Sequence, residues 1–149
     1  MGTPKFLVID DDRALLDIMS AILTSLGCQS ETFHEGSTAL KMLENQQRAD
    51  EFDAIFLDVM MPEMTGYDVI AKLKEREGTK GIPVIMLTAK SGYNEIIEGY
   101  NHGADYYLTK PVTKDQLVYA LDLVLSPEDR RSMGGEDPPV KTFSLPEAD

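Results

Sequence analysis

The chain has 149 residues, 42% apolar and 27% charged, which is the balance of one soluble globular domain with some chain to spare. No stretch approaches the ~20 consecutive apolar residues of a membrane span, no secretory leader pattern opens the chain, and a single cysteine cannot form an internal disulfide, so a cytoplasmic protein without a membrane partner is expected. The formal charge is −12, with 20 acidic and 11 basic side chains in residues 1–125 and 6 and 3 in residues 126–149; with no cluster of Lys or Arg there is no electrostatic footprint for nucleic acid.

The first strand is expected at Lys5–Ile9, which is almost wholly apolar, as a strand covered on both faces is, and runs into Asp10-Asp11-Asp12. Leu15, Ile18/Met19, Ile22/Leu23 and Leu26 then repeat every three or four residues, predicting a helix that Gly27 stops. Cys28 opens an edge strand, Gln29–Phe33, and reads as a buried thiol. Residues 37–47 form a second helix on Ala39, Leu40 and Leu43, and Phe52–Leu57 a central strand that runs into Asp58. A third helix over Tyr67–Glu77 carries Val69, Ile70 and Leu73 inward. After a turn at Gly78–Gly81, the strand Ile82–Leu87 runs into Thr88.

Residues 91–101 carry a weaker helical pattern, interrupted by Gly92 and Gly99. A fifth strand, Ala104–Leu108, leads through Thr109 to Lys110-Pro111. Thr113 and Gln116 are spaced as a capping box before a last helix with Leu117, Val118, Leu121, Val124 and Leu125 inward. Five strands alternating with five helices predict βαβ units on one parallel sheet. The ordered domain is expected to span 1–125. Residues 126–149, rich in Pro, Gly and charge, read as a disordered tail or a truncated linker.

The carboxyl ends of parallel strands share one edge, so Asp10, Asp11, Asp58, Thr88 and Lys110 can converge there. One acid after a strand is ordinary helix capping, a role open to Asp12; adjacent acids crowd charge for no stabilising return unless a cation sits among them. Magnesium fits best, because it prefers oxygen ligands and shares them with phosphate and water. Asp58 is either a turn-initiating residue or a carboxylate able to attack phosphorus, and the turn that follows is assigned to Pro62 and Gly66. Thr88 alone is only a β-branched strand residue, and Lys110 alone only a surface charge. At this edge they become a hydroxyl and an ammonium for phosphoryl oxygens.

Read in order, FLVIDDD, IFLDVMMPEMTGYDVI, PVIMLTAK and GADYYLTKP resemble the receiver domain of bacterial two-component response regulators, over residues 5–125. The resemblance implies a flavodoxin-like (βα)5 three-layer sandwich with strand order 2-1-3-4-5, and a phosphoprotein that serves signal transduction or a phosphorelay. It implies that Asp58 accepts a phosphoryl group from a sensor histidine kinase or phosphotransfer protein, and that Asp10, Asp11, Asp58 and the Met60 carbonyl hold Mg2+. Thr88 and Lys110 would contact the phosphoryl group, and Lys110-Pro111 would be cis. Thr88 and Tyr107 would form the switch: as Thr88 moves toward the phosphoryl group, Tyr107 turns inward and the last strand and its flanking helices present a changed surface. That surface would serve a downstream partner, an attached output domain or a second copy of the chain. Val112 stands where many members have Phe, a packing difference near that surface. Met60 and Lys90, at positions that tune hydrolysis in the family, orient water poorly, which implies slow self-dephosphorylation.

Two other functions are weighed. A phosphatase of the haloacid-dehalogenase type would use Asp10 and Asp12 as its Asp-x-Asp motif, but Ala14 stands where that family has Thr or Val, no acidic pair follows Lys110, and Asp58 would be unexplained. A pure interaction module with receiver form would not need the complete site. The expected protein is therefore not an enzyme beyond its own phosphorylation and dephosphorylation. Whether it acts alone or as part of a longer regulator stays open.

Overall fold

The computed structural model describes residues 2–89 and 101–125. Five parallel strands, β1 (Lys5–Ile9), β2 (Gln29–Phe33), β3 (Ala54–Asp58), β4 (Val84–Thr88) and β5 (Tyr106–Thr109), form one sheet in the order β2-β1-β3-β4-β5. The helices in the described residues are α1 (Arg13–Ser25), α2 (Gly36–Leu43), α3 (Gln46–Ala49), α4 (Gly66–Glu75) and α5 (Lys114–Val124). The helix expected over 91–101 lies outside the described residues but for its last position, and the tail expected after 125 lies outside them altogether. None of the described helices is long and apolar enough to cross a membrane.

Strand alternation divides the core in two. Phe6, Val8, Ala54, Phe56, Ile85 and Leu87 face a cluster closed by Leu16, Met19 and Leu23 of α1 and Leu117 and Leu121 of α5. Leu7, Ile9, Ile55, Leu57, Val84 and Met86 face a second cluster closed by Ala39 and Leu43 of α2 and Val69, Ile70 and Leu73 of α4. This is the flavodoxin-like three-layer sandwich, and the unbroken apolar runs of β1, β3 and β4 follow from burial on both faces. β2 is the half-exposed edge strand expected, with Cys28 buried just before it.

Asp12 caps α1 by accepting from the Leu15 N–H at 3.2 Å, and Gly27 follows the helix at φ +80, where a side chain would be strained. Thr113 and Gln116 exchange the two hydrogen bonds of a capping box at α5, and Thr65 and Asp68 do the same at α4. The helix expected over 37–47 is two helices: α2 ends at Leu43, and the Asn45 side chain accepts from Gln47 and Arg48 N–H to start α3. Strand starts also differ. Pro83 has no N–H for the ladder, so β4 begins after it, although its carbonyl still accepts from the Ile55 N–H at 2.9 Å.

Candidate functional site

β1 lies directly beside β3, so Asp10 follows Ile9 next to Asp58, the last residue of β3. Asp10 is fully buried and Asp58 is 3% exposed, whereas Asp11 is open to solvent. The Asp10 N–H donates to the Phe33 carbonyl at 3.1 Å, and its Oδ1 accepts from the Asp12 N–H at 2.9 Å. Its Oδ2 is left to face the site. Lys110, just after β5, sends Nζ to within 2.8 Å of Asp10 Oδ2 and donates to Asp58 Oδ1 at 3.1 Å. The contact with Asp10 is a close ion pair, and among the described residues buried Oδ2 has no other partner.

Burial, and then the charge of Asp10, push the Asp58 carboxyl up to about 7, against the pull of Lys110. Burial also disfavours the Lys110 ammonium, but the two carboxylates outweigh it and hold its pKa above the ordinary lysine value. One ammonium thus faces two buried carboxylates, with a third at the rim.

The residues present fit a hard divalent cation. One carboxylate oxygen from each of Asp10, Asp11 and Asp58 lies within 4.8 Å of the others, and among the described residues buried Asp10 Oδ2 has only the Lys110 ammonium beside it. Met60 lies two residues past Asp58, where its carbonyl was expected to join the ligands.

Thr88 ends β4 and is 1% exposed; its carbonyl accepts from the Lys110 N–H at 2.6 Å, tying the lysine's backbone to the strand beside Asp58. Tyr106 packs against the α1/α5 cluster and Tyr107 against the α2/α4 cluster, the opposite faces expected from their parity. Tyr107 already lies inward, 9% exposed, and its buried hydroxyl has no hydrogen-bond partner among the described residues. Lys110-Pro111 is cis, and Val112 is buried in the α1/α5 core. Lys90 lies outside the described residues.

The loop after Asp58 adds detail to the turn expected at Pro62 and Gly66. The left-handed residue in the turn is Glu63, at φ 66, while Gly66 ends the loop and begins α4. The role of Gly66 is close approach, which its place in the sequence did not reveal. A Cβ there would lie 2.3 Å from the Asp58 carbonyl oxygen, while the Gly66 N–H donates to the Val59 carbonyl at 2.8 Å. Gly66→Ala is expected to push the start of α4 away from Asp58 and to lower stability by about 2 kcal/mol. Chemical denaturation measures this, and an unchanged midpoint would contradict the contact.

The family model described as response regulator receiver domain matches residues 6–122. The chain is 35% identical over 117 residues to Protein PilG of Pseudomonas aeruginosa, covering 78% of this chain and 84% of PilG. It is also 35% identical over 127 residues to the DNA-binding dual master transcriptional regulator RpaA of Synechocystis sp., covering 85% of this chain but 51% of RpaA. The chain thus spans about half the length of most of the curated relatives it matches, such as RpaA at 51% and the response regulator MprA of Mycobacterium ulcerans at 58%. Among solved structures, chemotaxis response regulator CheY4 of Vibrio cholerae superposes with a TM-score of 0.75 at 31% identity, covering 83% of this chain and 100% of CheY4. With the same strand order and the acidic cluster at the strand ends, the chain belongs to the receiver domain family of two-component response regulators.

Proposed function

We propose that residues 1–125 act as a phosphorylation switch, with Asp58 accepting a phosphoryl group from the phosphohistidine of a sensor kinase or phosphotransfer protein. The observation that carries this reading is the single ammonium of Lys110 between Asp10 and Asp58, 2.8 and 3.1 Å away. An Asp58 oxygen attacks phosphorus as the bond from phosphorus to the donor's imidazole nitrogen breaks, and that nitrogen keeps the electron pair. Lys110 leaves its bond with the attacking carboxylate and stabilises charge on the phosphoryl oxygens. Asp10 and Asp11, with Asp58 and the Met60 carbonyl, would hold Mg2+, which when bound neutralises the carboxylates and polarises the phosphoryl oxygens. Partner and protein supply positioning and charge; no substrate is turned over beyond the chain's own phosphorylation and hydrolysis.

Readout is assigned to Thr88 and Tyr107. Thr88 ends the strand next to Asp58, and the register pairs Met86 of that strand with Tyr107. Tyr107 is held inward by packing in the α2/α4 cluster, beside Met86, and is therefore sensitive to any shift of β4. The altered β5–α5 surface then engages a downstream protein, an attached output domain or a second copy. Mapping by mass spectrometry after incubation with acetyl phosphate and Mg2+ tests the assignment. One base-labile phosphate is expected on Asp58, with labelling slowed about tenfold or more in Asp11→Ala. Label on Asp10 instead would favour the dehalogenase-type alternative.

A further inference from the structure

We infer that residues 143–149 of this chain, beyond the last helix, bind in a groove between α2 and α4, on the face of the domain away from α1 and α5. The groove has a volume of about 390 Å³, within the range of about 300–1,000 Å³ typical of ligand-sized clefts. Leu40 of α2 and Met64, just before α4, lie along it. Both are only partly buried against the α2/α4 core, so they offer apolar surface to an occupant.

The charge of the groove is unusual for this chain. Lys41, Lys72 and Arg76 line it against Glu44 and Glu75, three cations to two acids in a protein of net charge −12. Lys41 and Lys72 have no ion-pair partner among the described residues, whereas Lys5, Arg48, Lys80 and Lys110 all pair with carboxylates.

The tail carries the complementary pattern. Phe143 and Leu145 are followed by Glu147 and Asp149, and in an extended segment these alternate residues share one face, two apolar side chains and then two carboxylates. Pro146 favours that extension, because it disfavours helical backbone at Leu145. Bound along α2 and α4, the apolar pair covers Leu40 and Met64, and the carboxylates meet the unpaired ammonium groups of Lys41 and Lys72.

The tail also leaves the domain at the right edge. Helices between parallel strands run back against them, so the carboxyl ends of α2, α4 and α5 share the edge opposite Asp58. Arg76 marks that end of the groove, its guanidinium donating to the Glu44 carbonyl at 3.3 Å. Residues 126–142 reach on the order of 56 Å when extended, against a radius of gyration of about 14 Å for a domain of this size. So short a tether holds the tail near the groove at an effective concentration in the millimolar range, where modest contacts suffice.

The test uses the full chain. Limited trypsin digestion should cut after Lys141, relative to Arg131, about fivefold more slowly in the parent than in Lys41→Glu/Lys72→Glu, because cleavage follows the fraction of tail that is undocked. Adding Glu147→Lys/Asp149→Lys to that variant should restore protection, which damage to the fold would not do. Carbodiimide coupling of carboxylates to amines, read by peptide mapping, should join Glu147 or Asp149 to Lys41 or Lys72. In an equal mixture of isotope-labelled and unlabelled protein, those links should stay within one chain. Equal cleavage at Lys141 in the parent and in Lys41→Glu/Lys72→Glu would overturn the inference, as would links to other lysines in place of these two. Links between labelled and unlabelled chains would overturn it as well, by giving the groove to the tail of a second copy.

Discussion

Asp58→Asn is expected to abolish labelling by acetyl phosphate, by about a hundredfold or more, while stabilising the metal-free fold. The second effect follows from the same buried carboxyl. Burial and Asp10 raise the Asp58 pKa to about 7, so the folded state binds its proton more tightly than the unfolded chain does. For an acid with a raised folded value, that contribution is fully present below the unfolded pKa of about 4 and is lost as pH rises through about 7. At pH 8 in EDTA the parent holds two ionised carboxylates around one ammonium, and Asn at position 58 removes one of them. Denaturation should find the variant about 2 kcal/mol more stable at pH 8, with the advantage shrinking toward pH 5. Saturating Mg2+ should stabilise the parent more than the variant. A variant that is less stable than the parent in EDTA at pH 8 would remove the crowded-carboxylate account of the site.

Lys110→Met is expected to move stability the other way. It keeps most of the side-chain volume and deletes the cation that lies 2.8 Å from Asp10 and 3.1 Å from Asp58. Two buried carboxylates are then left without a counter-charge, which costs about 3 kcal/mol in EDTA at pH 8. The cost should fall as pH drops and Asp58 takes up a proton, and Mg2+ should restore much of it by supplying the missing positive charge. Labelling of Asp58 should persist at a reduced rate, because the nucleophile remains. Equal stability of parent and variant at pH 8 in EDTA would show that Lys110 does not offset the pair. The opposite signs of these two substitutions at one ion cluster distinguish charge balance from simple damage to packing.

Much of the site was legible because its residues announce themselves locally. Asp10, Asp58, Thr88 and Lys110 each end or follow an apolar run, and polar groups at such points are unusual without a task. The parity that sends Tyr106 and Tyr107 to opposite faces is equally local. The close approach at Gly66 was not legible because its reason is non-local: the 2.3 Å distance from a Cβ there to the Asp58 carbonyl exists only once α4 is seated against β3. The break at Asn45 was hidden for a related reason. Asn is as ordinary on an exposed helix face as at a cap, and only the closing of α3 over the core, with Ala49 and Phe52 buried, selects the cap. The strand start after Pro83, by contrast, follows from the missing N–H and was available in advance.

Read unaided, the chain specifies its alternation of strand and helix, the buried faces of each, and the chemical types gathered at the strand ends, since all of these depend on side-chain period and on residues close in sequence. Folding adds what depends on contacts between distant segments. The order β2-β1-β3-β4-β5 sets Asp10 beside Asp58, and packing leaves Asp10 fully buried while its neighbour Asp11 faces water. It also brings Lys110 across 52 residues to Asp58, so that one ammonium is shared by two carboxylates. Charge separation, burial and the raised Asp58 pKa are properties of that assembled edge, because desolvation and Coulomb interaction act through space and not along the chain.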